Sequence, residues 1–217
     1  RLDPWPSLGS IVATLKAPNN PSAWWHLGGQ LDAGTQMPSG QQGAFLPVKP
    51  VIPTASSNHS NDFGSCCDHA IEAIQQGARF VSINMYSSLF DSVTWDCHAD
   101  GGSLATDLND YSATVAPTFD HGFSRLLTKL LALGLLRRTL VVATGEFGRT
   151  PRPNCNGGRD HWTRCWTSLV AGGGIQGGQV VGQSDTYAAE PVDQPVQPQE
   201  LVATIYHALG IPAGTML

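Results

Sequence analysis

Residues Thr139–Trp162, TLVVATGEFGRTPRPNCNGGRDHW, decide how this chain is read, because an apolar run leads straight into two clusters of charged and imidazole groups. A β-branched stretch that stops abruptly at Gly145, Glu146 and Arg149 reads as a buried parallel strand delivering side chains to the carboxyl edge of a sheet. Open α/β sheets place their ligand sites at that edge. Upstream lies a third cluster, Thr94 to His98 (TWDCH). Asp96, His98, Glu146, Asp160 and His161 together supply three carboxylates and two imidazoles, a donor set that suits zinc, manganese or a similar divalent cation. The residues alone point to a metal-assisted hydrolase.

Working outward from this stretch, Pro117 opens an amphipathic helix through Leu136, with Phe119, Phe123, Leu126, Leu127, Leu130 and Leu133 as its apolar face. Gly134 near its end and Arg137 and Arg138 beyond it suit the negative end of the helix dipole, and the strand at 139–144 begins at once. Before it, Cys67, Ala70, Ile71 and Ile74 recur at helical spacing, Gly77 closes the segment, and Arg79 to Met85 reads as a strand. Strand, helix and strand imply a right-handed parallel crossover between 79–85 and 139–144. A further strand is expected at Trp166–Ala171 and a last helix at Pro198–Leu209, closed by Gly210 and Pro212. The expected architecture is a three-layer α/β sandwich with a mostly parallel central sheet. One domain spans 1–217: a loop-rich portion at 1–62 (PNNPS, MPSGQQG, VKPVIPT) and an α/β core portion at 63–217.

Several motifs have plainer readings. AGGGIQGG, residues 171–178, lacks the GK[ST] ending of a phosphate cradle and reads as a tight turn. Asp120-His121 reads as a helix-start pair whose carboxylate faces the positive helix end. His207 is a surface or groove residue of the last helix, and AEPVDQPVQPQ is a surface connection. Side chains alternate along an extended segment, so Cys97 points away from Asp96 and His98 as a small buried thiol. Trp95 and Trp162 read as packing beside their clusters.

A chain of 217 residues with 41% hydrophobic and 13% charged residues is a folded globular unit. A net charge of −5 provides no basic surface for nucleic acid. No apolar run reaches the roughly 18–20 residues of a transmembrane helix, and Arg1–Ser10 is not a signal peptide. Five cysteines contain no CxxC pair, which disfavours a cysteine zinc site. Asn58-His59-Ser60 matches a glycosylation sequon, a pattern short enough to arise by chance. The chain does not begin with Met, as expected of a fragment.

The clusters share a placement. Asp96 follows one expected strand, Glu146 ends its neighbour, and Asp160 with His161 lies one loop later, so all converge at one sheet edge. Arg149 has two readings: an ion pair with Glu146, or a bidentate clamp for phosphate or sulfate. Arg159 reads as a partner that orients Asp160.

The succession PSLGS (6–10), ARFV (78–81), WDCH (95–98), GLLRRTLVVATGEFGRT (134–150), GRDHW, AGGGIQGGQVVG and ELVATIYHALGI resembles the bacterial family catalogued as domain of unknown function 1501, placed within the alkaline phosphatase and sulfatase superfamily. The resemblance implies a sheet-centred metallohydrolase fold whose strand ends carry one or two metals and in which an activated Ser, Thr, Cys or water attacks phosphorus or sulfur. Glu146-Phe147 stands where the superfamily's strand bears an Asp-His pair; Glu can ligate and Phe cannot. Asp96 and His98 resemble the Asp and His of the other metal site, and His161 the later histidine. The glycine-rich segment carrying the nucleophile is expected upstream of Arg1, so the domain is expected to be incomplete at its N-terminus.

The resulting expectation is a metal-dependent hydrolase of phosphate or sulfate esters of a small molecule or glycan. Asp96, His98, Glu146, Asp160 and His161 would ligate zinc, manganese, magnesium or calcium, and Arg149 would bind the anion. The resemblance also implies export to the periplasm or outside the cell. Its rivals are a non-catalytic cell-surface or binding protein with a decayed site, and a phosphomutase.

Overall fold

The computed structural model describes residues 6–30, 41–44, 46–53, 62–90, 92–102 and 104–216. Helix α1 (Leu8–Lys16) begins at Ser7, whose side chain accepts the Ser10 N–H at 3.2 Å. It lies directly on strand β1 (Trp24–Leu27): a Cβ on Gly9 would come within 2.2 Å of the Trp24 indole nitrogen. β1 pairs in parallel with β2 (Phe80–Ile83), in the register Trp24↔Phe80 to Leu27↔Ile83. Alternation then sorts the side chains. Trp24 and Phe80 pack with Ala13 on the α1 face, while Trp25, Leu27, Val81 and Ile83 pack with Cys66 and Ala70 of helix α2 (Phe63–Gln75). The two-stranded ribbon is therefore covered by helices on both faces. Helix α1 and β1 both fall within the stretch read as loop-rich, because a four-residue strand leaves too short a pattern to separate from its Pro- and Gly-rich surroundings.

α2 starts at Asp62, which accepts the Ser65 N–H at 2.9 Å. It ends at Gly77 (φ +94°), where Ala78 N–H reaches Ala73 O at 2.9 Å and Gly77 N–H reaches Ile74 O at 3.1 Å, the glycine-closed helix end anticipated from sequence. The partner of α2 is a long helix in three continuous parts: α3 (Leu108–Asp110), a π-helical turn (Tyr111–Val115) and α4 (Ala116–Ala132). The helix thus begins at Leu108, well before Pro117. Proline normally marks a helix start because it lacks an N–H. Here the preceding wide turn, with Ala116 N–H bonded to Tyr111 O, absorbs that missing donor where the hydrogen-bond spacing changes. Asp120 and His121 consequently sit inside α4 and not at a helix start. Gly134 (φ +67°) closes α4, with Leu135 N–H on Leu130 O at 2.8 Å.

Leu126 and Leu130 of α4 pack against Phe63, Cys67 and Ile71 of α2. Leu130 is fully buried, so Leu130→Ala is expected to lower the unfolding free energy by about 3 kcal/mol in a urea titration. At the rim of the same contact Asp68 accepts from Arg125 Nε at 3.2 Å and Lys129 Nζ at 2.7 Å. Burial raises the Asp68 pKa, but the hydrogen bonds and charges of Lys129 and Arg125 outweigh it and hold the carboxyl below its usual value. A depressed folded-state pKa adds stability that is complete above the unfolded value, about 3.9, and disappears as pH falls through the folded value. Asp68→Asn is therefore expected to lose about 1 kcal/mol at neutral pH and to converge with the wild type in acid, measured by thermal melts across that window.

Strand β3 (Leu140–Ala143) pairs antiparallel with β6 (Leu169–Gly172). Between them β4 (Gly148–Arg149) pairs antiparallel with β5 (His161–Trp162). β7 (Gln183–Ser184) and β8 (Pro191–Asp193) form a further antiparallel pair, and α5 (Pro198–Ala208) is closed by Gly210. The described residues thus make a mixed α/β structure with short strands in small sheets. The strands at 79–85 and 139–144 were expected as parallel neighbours. Instead β2 pairs with β1, and β3 pairs with β6, the strand that returns after the 144–168 excursion. Local apolar patterning specifies that a strand forms; the chain path between strands chooses its partner. Ile83 of β2 and Val141 of β3 nevertheless pack against the same α2–α4 core. Among the described residues no helix is long and apolar enough to cross a membrane. The Asn58-His59-Ser60 sequon lies outside the described residues.

Candidate metal centre

The Thr94–His98 segment is extended and anchored from several sides. Asp96 N–H donates to Thr94 Oγ1 at 3.1 Å, and Thr94 N–H donates to Thr106 Oγ1 at 3.2 Å. The Tyr111 hydroxyl, carried by the π-helical turn, donates to the Trp95 carbonyl, and Trp95 meets the Tyr111 ring edge-on at 5.4 Å. Cys97 is fully buried. Burial pushes its thiol above the usual range, which disfavours the nucleophilic thiolate.

The second ligand-bearing segment is shaped by the β4–β5 pairing, which sets Arg149 directly opposite His161. The chain between them folds back on itself and grips the first segment. Arg159 Nη1 donates to the Thr150 and Pro151 carbonyls, each at 2.7 Å. Arg159 N–H donates to Cys97 O at 2.6 Å. Asn154 spans both segments: its amide nitrogen donates to His98 O at 2.8 Å and to Asp160 Oδ1 at 3.1 Å, while its Oδ1 accepts the Asn156 and Gly158 N–H groups at 3.0 Å. Gly158 makes the closest approach; a Cβ there would lie 2.5 Å from Cys97 O and from the His98 carbonyl.

This clamp brings one donor atom each from Asp96, His98 and His161 within 4.8 Å of one another, the one such grouping among the described residues. Asp96 Oδ1 contacts His98 Nδ1 and also receives Arg149 Nη1 at 3.2 Å. The rings of His98 and His161 meet at 4.7 Å and 62°, and Phe147 lies 4.3 Å from His161 on its other side. Asp96 is buried whereas His161 is exposed, so the group opens to solvent on the His161 side. Partial desolvation where the ring meets its neighbours, and then Arg149 and His98, push the His161 imidazole below its usual pKa, favouring the neutral form that can donate to a metal. Two imidazoles and one carboxylate, with an open side, fit a three-ligand divalent site.

Of the five ligands expected from sequence, the structure brings together Asp96, His98 and His161. Glu146 is exposed beyond the end of β3, close enough to influence His161 electrostatically but outside the group. Asp160 is exposed, and its carboxylate is held by Asn154 within the 150–160 loop. Arg149 pairs with Asp96, a partner neither sequence reading named. Asn154 and Tyr111 were not identified from sequence. The Asn-x-Asn-Gly-Gly turn at 154–158 was the available signal for the first, since asparagine favours side-chain-capped turns; nothing in the pattern marks the second.

Residues 48–217, more than half of the chain, match the family described as "Protein of unknown function (DUF1501)". No curated protein and no solved structure matches.

Proposed function

The chain belongs to the DUF1501 family, and we propose that it is a metal-dependent hydrolase of phosphate or sulfate esters centred on Asp96, His98 and His161. The observation that carries this reading is the convergence of those three donors from two segments distant along the chain. Two imidazoles beside one carboxylate favour zinc or another transition-metal ion over magnesium or calcium. When bound, a divalent cation supplies Lewis-acid neutralisation of developing negative charge and activates water near neutral pH. The protein's own groups do the rest. His161 faces solvent where an ester can enter, Arg149 offers a planar cation to its anionic head, and Phe147 walls one side of His161 against water. Glu146 stands outside this ligand set but next to His161, where its charge favours a cationic occupant.

The fold we propose around this site is the three-layer sandwich of the alkaline phosphatase and sulfatase superfamily. Its support is the packing of α1 and α2 on opposite faces of β1–β2, and the shared α2–α4 cover over β2 and β3.

A second reading, a metal-dependent binding module, is favoured by one observation. Cys97, the nucleophilic side chain nearest in sequence to the ligands, is buried, and burial raises its thiol pKa away from the reactive thiolate. Elemental analysis of the purified protein, together with generic aryl phosphates and aryl sulfates, tests both. Stoichiometric metal with chelator-sensitive ester turnover supports hydrolysis. Stoichiometric metal with no turnover of either ester class leaves the binding module, and a metal-free protein that takes up none removes both.

A further inference from the structure

We infer that Arg149 couples metal binding to anion binding: it neutralises Asp96 in the metal-free chain and, released from that carboxylate, presents its free edge to an oxyanion. This rests on the metal-site reading above. Asp96 is 8% exposed, and a carboxylate so withdrawn from water requires a cationic or hydrogen-bonding partner. Arg149 provides it, but loosely. Its contacts are to Asp96 Oδ1 at 3.2 Å, the Arg159 carbonyl at 3.4 Å and His98 Nδ1 at 3.5 Å. All three are longer than the roughly 2.7–2.9 Å of a strong charge-assisted bond.

All three also use the same nitrogen, Nη1. Among the described residues Nε and Nη2 have no hydrogen-bond partner, and these two form the edge of the guanidinium suited to bidentate oxyanion recognition. The backbone of Arg149 is fixed by its pairing with His161, so the side chain can turn without displacing β4. Phe147, 5.9 Å from the guanidinium carbon, offers it an aromatic face on which to rest.

The consequence is electrostatic. Arg149 and a divalent cation compete for Asp96 Oδ1 and repel each other, whereas a tetrahedral oxyanion lying between them is attracted to both. Anion must therefore strengthen metal binding, and metal must strengthen anion binding by the same factor, within the about 5- to 150-fold range of such couplings.

Calorimetric titration of metal-stripped protein with manganese, in sodium sulfate or in sodium chloride of equal ionic strength, tests this. In the wild type, sulfate is expected to tighten manganese binding about tenfold. Arg149→Gln is expected to bind manganese more tightly than wild type in chloride and to show no sulfate effect. Arg149→Lys, which keeps the charge but not the fork, is expected to retain weak manganese binding in chloride with a diminished sulfate effect. Manganese binding that is equal in all three proteins, or equally sulfate-sensitive in all three, overturns the coupling while leaving the metal site standing. Absence of manganese binding in every protein and both salts overturns the metal site, and the coupling with it.

Discussion

His161→Ala is expected to lower divalent-metal affinity by at least about 100-fold while changing thermal stability by less than about 0.5 kcal/mol. The asymmetry follows from placement. His161 is exposed on a two-residue strand, its ring contacts being with the His98 and Phe147 rings at the open side of the site, yet it is one of three donors and the only one from its segment. Asp96→Ala should abolish metal binding equally but also destabilise the protein, because Asp96 is buried and its Oδ1 satisfies both Arg149 and His98. Metal content after dialysis, measured beside thermal melts of the chelated proteins, separates the two variants. A His161→Ala protein that keeps full metal content removes this histidine from the ligand set.

The second large effect is expected at a residue with no side chain. Gly158→Ala places a methyl group 2.5 Å from the Cys97 and His98 carbonyls, and backbone cannot swing aside as a flexible side-chain tip would. The 150–160 loop must lift from the Thr94–His98 segment, at a cost of about 1–3 kcal/mol, and His161 moves with it. Metal affinity is expected to fall about tenfold or more although every ligand is intact. Gly157→Ala provides the contrast. Gly157 has φ +84° and nothing within 4 Å of a Cβ, so alanine there is strained by about 1–2 kcal/mol without pushing on the ligand segment. Its stability should drop while its metal affinity holds. Equal metal affinity in both glycine variants would show that the contact between the two segments does not set the site.

The helices were largely legible in the sequence because their signals are local. Gly77, Gly134 and Gly210 each close a helix in the left-handed conformation only glycine adopts freely, and each was readable as a stop. Leu126 and Leu130 were readable as buried from their spacing, whereas Leu133, placed on the same face, falls past the last turn of α4 and is exposed. Strand partners were not legible. Val141 and Val142 announce a strand, but nothing in them distinguishes β6 from β2 as the neighbour.

The site divides along the same line. Asp96 and His98 share a side because an extended chain alternates, a rule that holds over two residues. Glu146 lies in irregular backbone just before β4 and Asp160 in the loop just before β5, where no period fixes the direction of a side chain. The pairing that sets Arg149 opposite His161 joins two-residue strands too short to carry a pattern, so the Arg149–Asp96 contact had no signature.

The wide turn at Tyr111–Val115 has a mechanical meaning for the whole centre. A regular α-helix advances about 100° per residue, whereas the wide turn takes up about one extra residue without passing that rotation on to the helix on either side. The helix behaves as a shaft with two keys whose relative angle the turn sets. One key, Leu126 and Leu130, seats under α2; the other, Tyr111, engages the carbonyl of Trp95 beside the ligands. Rewound as regular α-helix with no residue lost, the turn would swing Tyr111 by about 100° away from the Trp95 carbonyl while Leu126 and Leu130 stayed seated.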